Sequence, residues 1–181
     1  MILASGSPRR RELLRKLTSD FSVETAAVEE AQSGASPEWL PQRNAEAKAI
    51  EVSRRHPDAL VLGADTAIIF AGQLLGKPAD LTAAHAMLRA FSGRSHRVIT
   101  AIALASGGQL ETSWSEVAEV RFRHLTDADI TAYLRAVNVL DKAGSYAIQE
   151  QGERLISGFT GDQNTIIGLP LEKLRAELDR R

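Results

Sequence analysis

An α/β fold around a mixed β-sheet is predicted by three features of the 181-residue chain. Two long apolar runs, residues 60–70 and 98–104, read as strands buried on both faces. Helices with recognisable caps lie between the strands, and a short apolar strand, Ile2-Leu3-Ala4, opens the chain. Strands interleaved with helices in this way pack as a sheet with helices laid on its faces.

Each element has a local reason. After Ala4, the turn Ser5-Gly6-Ser7-Pro8 puts Ser7 at an N-cap and Pro8 at the first helical position. The helix then continues through the apolar stripe of Leu13, Leu14 and Leu17. Phe21 to Thr25 alternates like a strand and leads to a strand end at Val28-Glu29-Glu30, followed by a polar loop from Gln32 to Pro37. Pro37 is expected to open a helix reaching about His56, with Ala45, Ala49 and Val52 on one face and Lys48 near that face. Ala71-Gly72 turns the chain into a returning strand, Gln73-Leu74-Leu75, and Gly76-Lys77-Pro78 makes a constrained loop near Asp65. Asp80 caps a helix through Phe91. Ser106-Gly107-Gly108 turns a hairpin into a strand over 110–122, and Thr126 with Asp129 forms a capping box. A short strand ending in Gln149, a further strand at Leu155-Ile156, a polar turn or helix start at 162–165 and a terminal helix with Leu171, Leu174 and Leu178 complete the chain. No linker, repeat or low-complexity segment divides it, so residues 1–181 are expected to form one domain.

Composition narrows the function. With 44% hydrophobic and 25% charged residues the chain is globular, and a net charge of −1 gives it no general attraction for nucleic acid or an anionic membrane. The absence of cysteine excludes disulfides, thiolate metal sites and a cysteine nucleophile. The first residues lack a signal peptide's basic start, and no apolar run reaches membrane-spanning length. A cytoplasmic protein is expected.

Two stretches do not suit a purely structural role. Asp65 stands beside Thr66 inside an apolar run, and burying an unpaired carboxylate costs several kcal/mol. Gly63-Ala64-Asp65-Thr66 is either a turn joining two strands or a functional carboxylate approached closely across the small residues before it. The helix after Pro8 carries Arg9, Arg10 and Arg11 in its first turn, where cations oppose the helix dipole at ~0.3–1 kcal/mol each. A bound phosphate reverses that sign, because free amides and guanidinium forks then converge on an anion. Glu30 is either solvated surface or an oxygen ligand for a hard cation. Lys48, taken alone, reads as a snorkelling surface lysine.

Taken together, the chain resembles the Maf family of nucleoside triphosphate pyrophosphatases. The motifs that carry the resemblance are Ala4-Ser5-Gly6-Ser7-Pro8-Arg9-Arg10, Gly63-Ala64-Asp65-Thr66, Gly76-Lys77-Pro78, Phe91-Ser92-Gly93 with His96, Asp141-Lys142-Ala143-Gly144 with Ile148-Gln149, and Gly168-Leu169-Pro170-Leu171. They recur in the family's order and span nearly the whole chain. The resemblance implies a two-lobed α/β fold with a long twisted sheet and a central cleft. It also implies hydrolysis of a nucleoside triphosphate to the monophosphate and pyrophosphate, dependent on Mg²⁺ or Mn²⁺, in a homodimer.

By the same resemblance, Asp65 takes the position of the catalytic base. Arg9, Arg10, Lys48 and Lys77 take phosphate-neutralising positions, Glu30 that of a metal or water ligand alongside Asp65, and Ser5 the phosphate-facing turn. Branches of the family differ at the positions of Arg9, Thr66 and Gln149, and this combination resembles the branch acting on dTTP, UTP and modified uridine triphosphates. An amide at Gln149 suits the O4 and N3–H edge of a pyrimidine. Glu150 departs from the glycine common in this branch, and the 161–165 stretch looks more like the branch preferring 7-methyl-GTP, which stands as the alternative substrate. A nucleotide-binding regulator of septum formation without catalysis is the alternative from a different class.

Overall fold

The structure is a computed structural model that describes residues 1–31 and 36–181. Among the described residues, seven strands form one mixed sheet in the order β2-β1-β3-β5-β6-β7, with β4 on β3. The strands are β1 (Ile2–Ala4), β2 (Ser22–Val23), β3 (Val61–Phe70), β4 (Gln73–Leu75), β5 (Ser95–Ser106), β6 (Gln109–Phe122) and β7 (Ile156–Thr160). The helices are α1 (Pro8–Arg15), α2 (Leu40–Arg55), α3 (Leu81–Phe91), α4 (Asp127–Ala136), α5 (Gln163–Ile167) and α6 (Leu171–Leu178). The expected α/β architecture is present.

The caps behave as expected from their chemistry. Ser7 accepts from Arg10 N, Asp80 from Ala83 N, and Thr126 and Asp129 form a reciprocal capping box. Several boundaries differ. Pro37 to Trp39 form a turn, and the helix begins at Leu40. The strand expected over 21–25 is paired only at Ser22 and Val23, opposite the three-residue β1. Val28 to Glu30 form no strand. The chain there is held from the side, by Glu51 accepting from Ala27 N and Asn44 accepting from Ala31 N. The strand expected before Gln149 is also absent. Residues 148–150 turn, because Tyr146 and Ala147 are fastened inward by His96 and Tyr133 rather than paired to a neighbouring strand. Of the expected loop from Gln32 to Pro37, residues 32–35 lie outside the described residues.

The core has two centres. One joins Phe91, Phe122, Ile130, Tyr133, Tyr146 and Leu155 around α3 and α4. The other covers both faces of the sheet's opposite end: Leu3, Leu14, Leu62, Ile102 and Leu104 pack under α1 and α6, and Ala45, Ala49, Val61 and Ala103 under α2. These are the two lobes, and the long strands β3 and β5 run through both.

One feature of the register opens the sheet between them. On one edge of β3, β1 pairs only as far as Gly63, and β4 begins pairing at Ile68. Ala64 to Ala67 are therefore paired to β5 alone. Side chains alternate faces along a strand, so Asp65 and Thr66 point to opposite faces beside this gap.

Candidate active site

The gap in the β3 edge leads into a cleft of about 480 Å³. Its lining includes every residue given a site role by the resemblance, Ser5, Arg9, Arg10, Glu30, Lys48, Asp65, Thr66, Lys77 and Gln149, but not Arg11. They come from six separate stretches of the chain, brought together where β1 ends, β3 loses its neighbour, and the loops at Lys77 and Gln149 close over.

Asp65 faces α2. The turn considered for Gly63-Ala64-Asp65-Thr66 is replaced by a continuous ten-residue strand, so the carboxylate is not satisfied by local amides. Lys48 Nζ meets Asp65 Oδ1 at 2.8 Å and Glu30 Oε1 at 2.6 Å. Lys48 is thus corrected from a surface lysine to a buried one. Its neighbours Ala45 and Ala49 sit on the sheet, and the side chain has a paired carboxylate to reach rather than water. The approach of α2 requires Gly63, whose position leaves only 2.2 Å between a built Cβ and Ala45 O. The hydrogen bond from the Lys48 ammonium holds the Glu30 carboxyl below its ordinary range, with the positive fields of Lys48, Arg10 and Lys77 adding to it.

Thr66 faces the other way, toward α1 and α5. Arg10 spans this side: Nε donates to Gly168 O at 3.0 Å, Nη1 to Ser5 Oγ at 3.1 Å and Nη2 to Thr66 Oγ1 at 3.0 Å. Burial lowers the pKa of Arg10, partly offset by the fields of Asp65 and Glu30. Arg9 is half-buried and Lys77 exposed, and among the described residues neither is in an ion pair. The Lys77 loop is pinned by Gly144 N donating to Gly76 O at 3.1 Å. Gln149 is exposed on its turn, free to rotate toward a ligand. Glu150 does not line the cleft; its carboxylate lies 3.4 Å from Lys142 Nζ.

Two lining or supporting residues were given no role in the sequence reading, Lys142 standing there only within the motif Asp141-Lys142-Ala143-Gly144. Lys142 is buried, and its ammonium meets Asp141 and Glu150. Asn44 is also buried and contacts Asp65. Asn44 and Lys48 are four residues apart, hence on one helix face, and share that face with Ala45 and Ala49. Asn44 and Lys48, polar side chains set one turn apart beside the apolar Ala45, Ala49 and Val52, were the available signal.

Among the described residues, no group of three or more His, Cys, Asp or Glu forms a self-sufficient metal site. The cleft does offer two carboxylates, Glu30 and Asp65, that touch the same Nζ. This donor set fits Mg²⁺ or Mn²⁺, because a small hard cation is commonly held by one or two carboxylates with substrate phosphates supplying further oxygens.

Comparison with known proteins gives the fold and the family. The solved HAM1 protein from Coxiella burnetii has the same fold, with a TM-score of 0.55 at 15% identity, covering 99% of this chain and 98% of that one. The Staphylococcus aureus Ham1 protein matches with a TM-score of 0.50 at 13% identity, covering 99% and 97%. In sequence, a dTTP/UTP pyrophosphatase of Akkermansia muciniphila is 48% identical over 94% of this chain and 90% of its own length. Another of that name, from Myxococcus xanthus, is 43% identical over 99% and 91%, and one from Halalkalibacterium halodurans 42% over 96% and 91%. Residues 1–181 match the family described as Maf-like protein, and the chain belongs to that family.

Proposed function

We propose that this protein hydrolyses nucleoside triphosphates, dTTP and UTP foremost and modified uridine triphosphates with them, to the monophosphate and pyrophosphate. The observation that carries this reading is the convergence of Asp65, paired to Lys48 but open to the cleft, with the cations Arg9, Arg10 and Lys77 in one cavity. The relatives named dTTP/UTP pyrophosphatase support the choice of substrates.

In the proposed reaction the triphosphate lies along the Ser5–Arg10 turn, with Arg9 and Lys77 as its unpaired cations and Arg10 held as a rigid wall. Asp65 accepts a proton from water as the water oxygen bonds to the α-phosphorus. The bond from that phosphorus to the bridging oxygen breaks, and pyrophosphate leaves with the electron pair. Lys48 holds the Asp65 carboxylate in place from 2.8 Å, and its charge offsets that gathering on the phosphates. Glu30 and Asp65 would hold a divalent cation, Mg²⁺ or Mn²⁺, whose contribution when bound is neutralisation of phosphate charge. Gln149 reads the pyrimidine edge, and the pairing of Glu150 with Lys142 supports the pyrimidine branch by drawing that extra carboxylate away from the base.

The same reading carries one domain over 1–181, a homodimer, and a cytoplasmic location; no helix among the described residues is long and apolar enough to cross a membrane. Pyrophosphate release from dTTP, UTP, CTP, 7-methyl-GTP and dITP with Mg²⁺ or Mn²⁺ tests the function, with preference for dTTP and UTP expected. Turnover of 7-methyl-GTP or dITP alone overturns the substrate choice, and no turnover of any overturns the enzyme in favour of a binding-only regulator.

A further inference from the structure

Asn44 is placed so that one side chain touches both halves of the hydrolytic centre. Its Nδ2 donates to Asp65 Oδ2 and to Ala31 O, both at 3.2 Å, and its Oδ1 accepts from Ala31 N at 2.9 Å. Ala31 follows Glu30 directly, so the amide grips the backbone of the Glu30 segment as a neighbouring strand would. That segment forms no strand of its own, and α2 supplies the missing pairing through a side chain. One turn further along the same helix face, Lys48 joins the two carboxylates themselves.

The chemistry at this position singles out an amide. Ala31 N–H can only donate, whereas Ala31 O and the Asp65 carboxylate can only accept. Two donors and an acceptor in one planar group meet all three demands, and neither a hydroxyl, a carboxylate nor an aliphatic side chain does. The amide is neutral, so it fixes the second oxygen of Asp65 without competing with Lys48 for charge. With Oδ1 held by Lys48 and Oδ2 by Asn44, the plane of the carboxylate is set from both sides. Asn44 is 7% exposed and does not line the cleft.

We propose that Asn44 is a positioning residue for hydrolysis: it sets the Asp65 carboxylate plane and holds the Glu30 segment against it, while contributing nothing to the grip on the triphosphate. The proposal rests on the pyrophosphatase reading given above. Residues that orient reacting groups from behind cost roughly 10–100-fold in rate when lost.

The test compares Asn44→Asp and Asn44→Ala with the wild type in pyrophosphate release from dTTP, alongside thermal unfolding and calorimetric binding of α,β-imido-dUTP, which cannot be cleaved. Asn44→Asp keeps the shape and the acceptor for Ala31 N but sets a carboxylate against Asp65. The expected result is a kcat at least 10-fold lower in both variants, with KM and imido-dUTP affinity within about 3-fold of wild type. Asn44→Gln, which retains the amide on a longer stem, recovers part of kcat. Unchanged kcat in folded Asn44→Asp overturns the proposal, as does a loss confined to KM and affinity. Should Asn44→Ala fail to fold, Asn44→Asp and Asn44→Gln decide alone. A wild type that turns over no triphosphate overturns the pyrophosphatase reading itself, and is recognised before any variant is made.

Discussion

Arg10 Nη2 donates to Thr66 Oγ1, and Thr66 and Thr100 lie hydroxyl to hydroxyl at 2.9 Å. Thr100 spends its one proton on Thr165 O at 2.7 Å, so Thr66 must be the donor between the two threonines. The Thr66 hydroxyl is left without a proton for a ligand. In the proposed function Thr66 therefore acts on the substrate through the guanidinium of Arg10.

Thr66→Val keeps the shape and removes that acceptor. It is expected to raise the KM for dTTP several-fold with little change in kcat, and to cost about 1–3 kcal/mol of stability through the stranded buried partners. Steady-state kinetics and urea unfolding check both. An unaltered KM would show that Arg10 holds its place through Gly168 and Ser5 alone.

Asp65→Asn preserves volume and removes the carboxylate proposed as the base. Turnover is expected to fall by ~10²–10⁴, the usual worth of a positioned proton acceptor, while imido-dUTP still binds. Wild-type turnover in a folded Asp65→Asn protein excludes Asp65 from that role.

Gln149→Glu tests base reading. The side chain is exposed at the cleft and makes no bond that a carboxylate would break, so folding should be unaffected. A carboxylate cannot donate to pyrimidine O4, and the preference for dTTP and UTP should narrow when kcat/KM is measured across the five triphosphates. The same ranking at the same ratios would remove Gln149 from substrate selection.

Gly63→Ala probes the contact that seats α2. The new methyl would stand 2.2 Å from Ala45 O and 2.9 Å from Ala49 Cβ, and a backbone oxygen inside a helix cannot swing away. Overpacking of this kind costs on the order of 3 kcal/mol, or roughly 6–12 °C in Tm for a chain of this length. The melting curve decides it, and a Tm within a degree or two of wild type would mean that α2 moves freely against the sheet.

His96 makes stability pH-dependent. It is buried against Phe91, its Nε2 bonded to Tyr146 Oη at 2.8 Å, and burial lowers its pKa to about 4. The unfolded chain therefore takes up a proton near pH 6.5, well before the folded one does. The contribution is complete above about pH 6.5 and is lost as pH falls toward 4, amounting to about 3 kcal/mol. Chemical unfolding at pH 7.5, 5.5 and 4.5 should show wild type losing that much more than His96→Gln. Parallel losses in the two proteins would count against it.

The chain's own residues announce much of this architecture. Caps at Ser7, Asp80 and Thr126 act through neighbours three residues away, and the apolar runs of β3 and β5 need only an interior, so both are legible along the chain. The misplaced arginines of α1 and the carboxylate within β3 likewise mark a site by opposing their local surroundings. Other elements depended on what stood beside them. The strands expected at 28–30 and before Gln149 found no partner edge, and the first became a strap held by an Asn44 amide.

The sequence by itself determined the fold class, the helix boundaries set by caps, and the two places where charge opposes its surroundings, the arginines of α1 and Asp65 in β3, because each depends on interactions a few residues long. Only the tertiary structure decided which ammonium meets which carboxylate. Lys48 reads as a surface lysine until α2 lies across Gly63. Asp65 and Thr66 read as neighbours until strand alternation sends one to Lys48 and Asn44 and the other to Arg10. Those pairings follow from a gap on one edge of β3: β4 is a local hairpin reaching back only to Ile68, and β1, from the start of the chain, pairs only as far as Gly63, a long-range register that no local signal encodes.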